Sequence, residues 1–235
     1  MSKANDYRAV IAQPWSQVFY RTLWLQIGSL QDQDILDFGC GLGITMEHYA
    51  HENTVVGIDK DYVFLNAQTH ALTVHHGSLD VLKKTPTASV DWILCHNVLN
   101  YMQSPKEAID EFKRILRPQG TLSIVVHNQP GKILHKIVFE NKPTEAIALL
   151  QGTQSESLLF GEVLDYNQAW FKENVFTKAS TYGLRIAYAM QLNEWKTASD
   201  WVDTMTAAEF TISKHEPFAS VGFFIHYIIK QEDLR

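Results

Sequence analysis

The segment "ILDFGCGLGITMEHYA" (residues 35–50) concentrates the residues best suited to meet a ligand with backbone alone. Gly39, Gly41 and Gly43 alternate with Cys40 and Leu42, directly after Asp37 and Phe38. Glycine permits close approach of a ligand to the chain, and a following helix presents unpaired N–H groups and a positive dipole end. Three ligand classes use such a turn. A nucleoside triphosphate needs G-x-x-x-x-G-K-[ST], and the turn has no lysine or hydroxyl residue at those places. A dinucleotide needs G-x-G-x-x-G, and Ile44 stands where the third glycine belongs. What remains is D-x-G-x-G-x-G.

The elements that must position this turn are legible as alternation. Short β-rich runs, "DILDF" (34–38), "TVVGID" (54–59), "LTVHH" (72–76), "VDWILCH" (90–96) and "GTLSIVVH" (120–127), are separated by stretches of helical periodicity. Apolar runs without strict alternation suit strands buried on both faces, and the spacing suits βαβ units around a parallel sheet. The clearest helix is "SPKEAIDEFKRILRPQG", with Ser104 as N-cap, Pro105 at the first position, Glu107 in a capping box, and Pro118 and Gly120 at its end. After His127 the rhythm breaks. Residues from about 130 to 178 read as a cap over the ligand edge of the sheet within a single domain of residues 1–235. "LRIAYAMQ" (184–191) and "ASVGFFIHYIIK" (219–230) read as an antiparallel edge pair, with the helix "TASDWVDTMTAAEF" between them.

Composition narrows the function classes. A net charge of −6 argues against indiscriminate nucleic-acid binding, and no stretch approaches the roughly 18 apolar residues of a membrane span. A soluble, cytoplasmic protein with a small-molecule partner is expected. Cys40 and Cys95 form no C-x-x-C pair and read as small buried hydrophobes. His75 and His76 lack a third ligand at suitable spacing, so no metal site is expected.

The pattern Asp37, Gly39, Gly41, Gly43 resembles motif I of the class I S-adenosylmethionine-dependent methyltransferases, and "VDWILCHNVLNYM" and "EFKRILRPQGTLSIV" resemble that family's later elements in the same order. The resemblance implies a Rossmann-like α/β fold: a seven-stranded, mostly parallel sheet with helices on both faces and an antiparallel edge strand. It also implies S-adenosyl-L-methionine as cofactor. The turn from Asp37 through Phe38, Gly39, Cys40, Gly41 and Gly43 would pass the amino-acid end and ribose. Asp59 would hold the two ribose hydroxyls, to which a carboxylate can accept two charge-assisted bonds, with Lys60 beside it. Ser78 and Leu79 would border the adenine. Asp37 is expected either to order the turn through its N–H groups or to face the cofactor ammonium, and Asp59 could instead only cap the next helix.

At a finer level "ILCHNVLNYMQSP", "KRILRPQGTLSIVVHNQPGKILHKIV" and "HEPFASVGFFIHYIIK" resemble the family of bacterial tRNA methyltransferases that esterify a carboxylate on a wobble uridine. That resemblance implies that His96 contacts the cofactor and that Arg21 pairs with its carboxylate; an exposed helix residue is the other reading of Arg21. A carboxylate acceptor needs no general base, whereas a hydroxyl acceptor would, and His127 is then the candidate base. Tyr166, Trp170, Phe171 and Tyr182 either stack a planar substrate or pack the cap. Lys132, His135, Lys136 and Lys142 give the cap a positive bias suited to an anionic acceptor, tRNA or a small carboxylate, or else form a solvated face. A non-catalytic, cofactor-binding regulator is the alternative of another class.

Overall fold

Strands with apolar residues on both faces need cover on both, and the chain supplies it around β1, β4 and β5. The computed structural model describes residues 3–153, 155–157, 159–164 and 166–235. Strands β1 (Asp34–Phe38), β2 (Thr54–Asp59), β3 (Thr73–His76), β4 (Val90–His96) and β5 (Leu116–His127) pair in parallel, in the order β3-β2-β1-β4-β5. A two-stranded ribbon, β6 (Ser155–Ser157) and β7 (Gly161–Val163), stands apart. Two further strands, β8 (Ser180–Leu184) and β9 (Phe224–Lys230), complete the seven-stranded sheet, with β9 antiparallel to both β5 and β8.

Helices lie on both faces. Near the start of the chain are α1 (Lys3–Ile11), α2 (Pro14–Ile27) and α3 (Ile44–Tyr49), followed by the single turns α4 (Tyr62–Leu65) and α5 (Leu79–Leu82) and the longer α6 (Pro105–Ile115). Ile35, Leu94 and Val125 face Leu23 and Ile27 of α2 and Met46 and Tyr49 of α3. Their neighbours Leu36, Phe38, Ile93, Cys95, Leu122 and Ile124 face Ala108, Ile109, Phe112 and Ile115 of α6. The period of two sends successive residues to opposite cores, and each fully buried large apolar side chain contributes roughly 1.5–3 kcal/mol.

Helix α6 begins and ends close to where the sequence places it. The capping box does not form: Ser104 makes no side-chain cap bond, and Glu107 pairs with Lys83 at 2.5 Å. The strand that follows starts at Leu116 rather than at Gly120. Gln119 sits at φ 69° in that stretch, where the ladder with β4 shifts register.

The segment after β5 crosses the carboxyl edge of the parallel strands. It comprises α7 (Gln129–Val138), α8 (Pro143–Leu150), the β6–β7 ribbon and α9 (Gln168–Asn174). Phe160 lies 5.7 Å from Tyr7 and 5.6 Å from Tyr101, which links this segment to α1 and to the loop after β4. Tyr166, Trp170 and Phe171 pack on one another, and Phe171 is buried 5.4 Å from Tyr227, so these rings serve the core.

The edge pair differs from the expectation in its first strand, which runs over 180–184 and stops where "LRIAYAMQ" begins. The cause is local. Arg185 takes φ 54°, which leaves the strand region. Glu209, from α10 (Trp201–Ile212), then accepts the backbone N–H groups of Ile186, Ala187 and Tyr188 at 2.8, 2.6 and 3.2 Å. These amides are turned to a side chain instead of to a neighbouring strand. Glu209 is fully buried, so Glu209→Ala strands three amides and is expected to cost about 3 kcal/mol. The midpoint of urea unfolding, read with an unchanged m-value, checks this.

Candidate functional site

The glycine turn follows β1 and is tied to the end of β2. Ile58 O accepts Gly39 N–H at 2.7 Å and Cys40 N–H at 3.2 Å. Asp59 does more than end its strand: Oδ2 accepts Gly41 N–H at 2.8 Å and Oδ1 accepts Asp61 N–H at 2.7 Å. The turn is thus ordered by Ile58 and Asp59, not by Asp37, because the turn's amides face β2. The three glycines are not equivalent. A Cβ at Gly39 would stand 2.1 Å from Val98 and one at Gly43 2.5 Å from Leu72, whereas a Cβ at Gly41, at φ 54°, would meet nothing within 4 Å. Gly41 is the position where the backbone borders open space.

Behind the turn lies an acidic cluster. Asp37, 4% exposed, lies one residue before the end of β1, deep in the sheet. Burial, with Asp59 adding a like charge, pushes its carboxyl up to about 7. Tyr7 and Tyr20 meet hydroxyl to hydroxyl at 3.3 Å beside it, and burial raises both phenols. Lys3 reaches across from α1 to Asp61 at 2.7 Å, over the rings of Phe64 and Phe160. Two carboxylates with raised phenols form a place for a cation, and Asp59 with an open Gly41 suits a polyol beside it.

The other expected residues are distributed as follows. Phe38 and Cys40 are buried; Phe38 packs 5.3 Å from Phe112, so it offers the site only its backbone. The Cys40 thiol is pushed up by burial and next by Asp37. Lys60 is exposed, and its carbonyl accepts from His76 Nε2 at 3.1 Å. Ser78 precedes α5 and donates its N–H to Asp80 at 2.9 Å; Leu79 packs against the core. Arg21 turns away from the pocket to pair with Asp203 of α10 at 2.5 Å, both exposed. A helix advances about 100° per residue, so Tyr20 takes the inward direction and Arg21 the outward one.

His96 begins a buried chain. Gln26 Nε2 donates to Gly183 O at 3.1 Å, which turns its Oε1 to His226 Nδ1 at 2.8 Å. His226 therefore carries its proton on Nδ1 and accepts from Ser123 at 2.8 Å, and Ser123 Oγ in turn accepts Nε2–H of His96 at 2.9 Å. His96 Nδ1 is left with its lone pair buried and unpartnered. Burial lowers His96 to about 3, so it stays neutral. His127 is held well below its ordinary value by burial and then by Lys132 and Arg185. Its Nε2 lies 3.3 Å from Tyr101 Oη. Both histidines are weak bases where they stand. Nothing in the local spacing pointed to Tyr7, Tyr20, Ser123 or His226, which come from separate elements.

Residues 36–124 match the family model described as a methyltransferase domain. That stretch carries a methyltransferase domain. The chain is 25% identical over 155 residues to the tRNA 5-carboxymethoxyuridine methyltransferase of Escherichia coli O157:H7, covering 65% of this chain and 58% of that protein. It is also 27% identical over 173 residues to the trans-aconitate 2-methyltransferase of Azoarcus sp., covering 72% and 61%. The chain thus spans less than two thirds of the length of these curated relatives. The solved structure of a methyltransferase from Thermotoga maritima, described as a possible histamine N-methyltransferase, shares the fold with a TM-score of 0.64 at 13% identity, over 97% of this chain and 95% of that one. The Rossmann-like class I architecture of the methyltransferase domain follows from that likeness and from the strand order.

The raised Asp37 carboxyl predicts a pH dependence of stability. Asp37 binds its proton more tightly folded than unfolded, so its contribution to stability is present below about 3.8 and is lost as pH rises through about 7. Asp37→Asn should remove that decline from the pH profile of thermal unfolding and weaken S-adenosylmethionine binding about tenfold at neutral pH, roughly 1.4 kcal/mol, by calorimetry. Gly41→Val, strained by about 1–2 kcal/mol at a positive φ, should remain folded by circular dichroism and lose measurable cofactor binding.

Proposed function

We propose that this chain transfers the methyl group of S-adenosylmethionine to a carboxylate oxygen of an acceptor that enters between His127 and α7. Asp59 binds the ribose hydroxyls, Gly41 gives the backbone clearance, and Asp37 faces the positive amino-acid end. Ser78 and Leu79 border the adenine, with Lys60 beside the ribose. Arg21 has no part in this reading, because it pairs with Asp203. When bound, S-adenosylmethionine would supply an electrophilic methyl group on its sulfonium, with S-adenosylhomocysteine as the leaving group once the acceptor O–C bond forms. The protein's task is orientation and exclusion of water.

The observation that carries the reading is the state of the edge histidines. His96 and His127 are both held neutral and weakly basic by burial, so the site suits an acceptor that arrives already ionised. A carboxylate does so at pH 7, and a hydroxyl does not. Two relatives named for carboxylate-bearing acceptors, 5-carboxymethoxyuridine and trans-aconitate, favour the same class.

Between a tRNA wobble uridine and a small acid, the surface favours the small acid. The basic bias read in the cap is cancelled in place: Lys136 pairs with Glu140 at 2.6 Å and Glu145 at 3.0 Å, Lys142 with Glu145 at 3.2 Å, and Lys132 is buried. The tRNA reading is supported by the Escherichia coli relative. Labelled methyl transfer to fractionated tRNA and to small organic acids decides between them. With a small acid, activity should persist without RNA and change little with salt. With tRNA it should fall steeply as salt rises, since each neutralised phosphate releases counterions. The product should release its label in mild alkali; a base-stable product overturns the ester reading.

A further inference from the structure

Beyond His127, at the end of β8, two cations are enclosed without a carboxylate partner. Arg185 stacks its guanidinium 4.5 Å above the Phe223 ring and donates from Nη2 to His135 Nε2 at 3.3 Å. Its Nε–H is buried and has no acceptor. Lys196, 3% exposed, sits among the rings of Trp15, Phe139 and Tyr188 at 5.3, 5.1 and 6.0 Å, and among the described residues its Nζ bonds only to Asn193 Oδ1, at 2.9 Å. The hydroxyl of Tyr188 is buried and unpartnered as well. Burial, and then Arg185, brings Lys196 down to about 8, so it remains mostly charged at neutral pH.

The nearby acids are otherwise engaged. Glu209 is occupied by three backbone amides, and Glu140 by Lys136 at 2.6 Å and His135 at 3.2 Å. Among the described residues no carboxylate lies within 4.0 Å of Arg185 or Lys196. An enclosed, unpaired cation is costly, and two that repel each other are more so. Such an arrangement persists where a ligand completes it.

The position fits the acceptor side of the domain. His127 feels the charge of Arg185, and an unbroken line of rings joins the two pockets. It runs from Tyr20 to Phe19 at 5.3 Å, to Phe224 at 5.5 Å, to His127 at 4.9 Å and to Phe223 at 6.2 Å, beneath Arg185. The guanidinium fork and a buried ammonium are suited to a carboxylate.

We propose that Arg185, Lys196 and Tyr188 form a binding site for a carboxylate of the methyl acceptor. This rests on the carboxylate-acceptor reading above, but its test does not require turnover. Thermal unfolding of the full chain is followed with succinate, citrate, the neutral succinamide and inorganic phosphate. Succinate or citrate should raise the Tm saturably and succinamide should not. Arg185→Met and Lys196→Met should each weaken that binding at least tenfold while leaving S-adenosylmethionine affinity unchanged. Each substitution removes an unpaired buried charge, so without acid the Tm should be unchanged or a few degrees higher, about 2–4 °C. Four results overturn the proposal: no shift with either acid in the unaltered protein, an undiminished shift in both variants, phosphate bound more tightly than the acids, or a lowered Tm of both unliganded variants, which marks a purely structural role. Acid binding at Arg185 with no methyl ester formed on any acid would refute the function reading and leave the site standing.

Discussion

The Asp59 carboxylate is the constraint on which the ligand edge depends. One oxygen holds Gly41 and the other holds Asp61, so a single side chain at the end of β2 fixes both the turn after β1 and the entry to α4. The parallel register of Asp37 with Gly57 and Phe38 with Ile58 brings Ile58 O under the amides of Gly39 and Cys40. Gly57 completes the fit, since a Cβ there would stand 2.5 Å from Met46 Sδ and 2.7 Å from Cys40 Sγ. The two backbone bonds fix the orientation of the Asp59 carboxylate.

Charge is partitioned along the edge. One side collects Asp37 and Asp59 beside two neutral phenols. The far side collects Arg185 and Lys196, a surplus of positive charge beside the proposed acceptor. Neutral groups lie between them: His127, His96 and the His96–Ser123–His226–Gln26 chain, whose direction is set by the fixed amide of Gln26. Burial alone keeps His96 uncharged, and for His127 the charges of Lys132 and Arg185 act in the same direction as burial. Neutrality keeps both pockets from being compensated by the protein itself.

Much of the frame was legible because its determinants are local. The five parallel strands follow from short apolar runs, α6 from its periodicity and proline start, and the ligand turn from a glycine pattern that only a tight, left-handed backbone requires. The errors lie where a side chain from elsewhere intervened. Ser104 carries the residue type of a cap, but Glu107 is drawn to Lys83. The run at 184–191 carries strand-forming residues, but Glu209, from a helix later in the chain, takes its amides. The lysines of the cap promise a basic surface, but Glu140 and Glu145 fold back onto them.

By itself the sequence determined the βαβ succession, the glycine turn and the acidic end of the second strand, since each is written within a few consecutive residues and enforced by backbone geometry. Only the tertiary structure decided which neighbours each charged group meets. Tyr7 and Tyr20 come to Asp37 from two different helices, Arg21 is claimed by Asp203, Lys196 is enclosed by Trp15 of α2, Phe139 just after α7 and Tyr188, and Arg185 lies over Phe223. The energy of a charge depends on its distance to other charges and to water, and neither distance exists until the elements have packed.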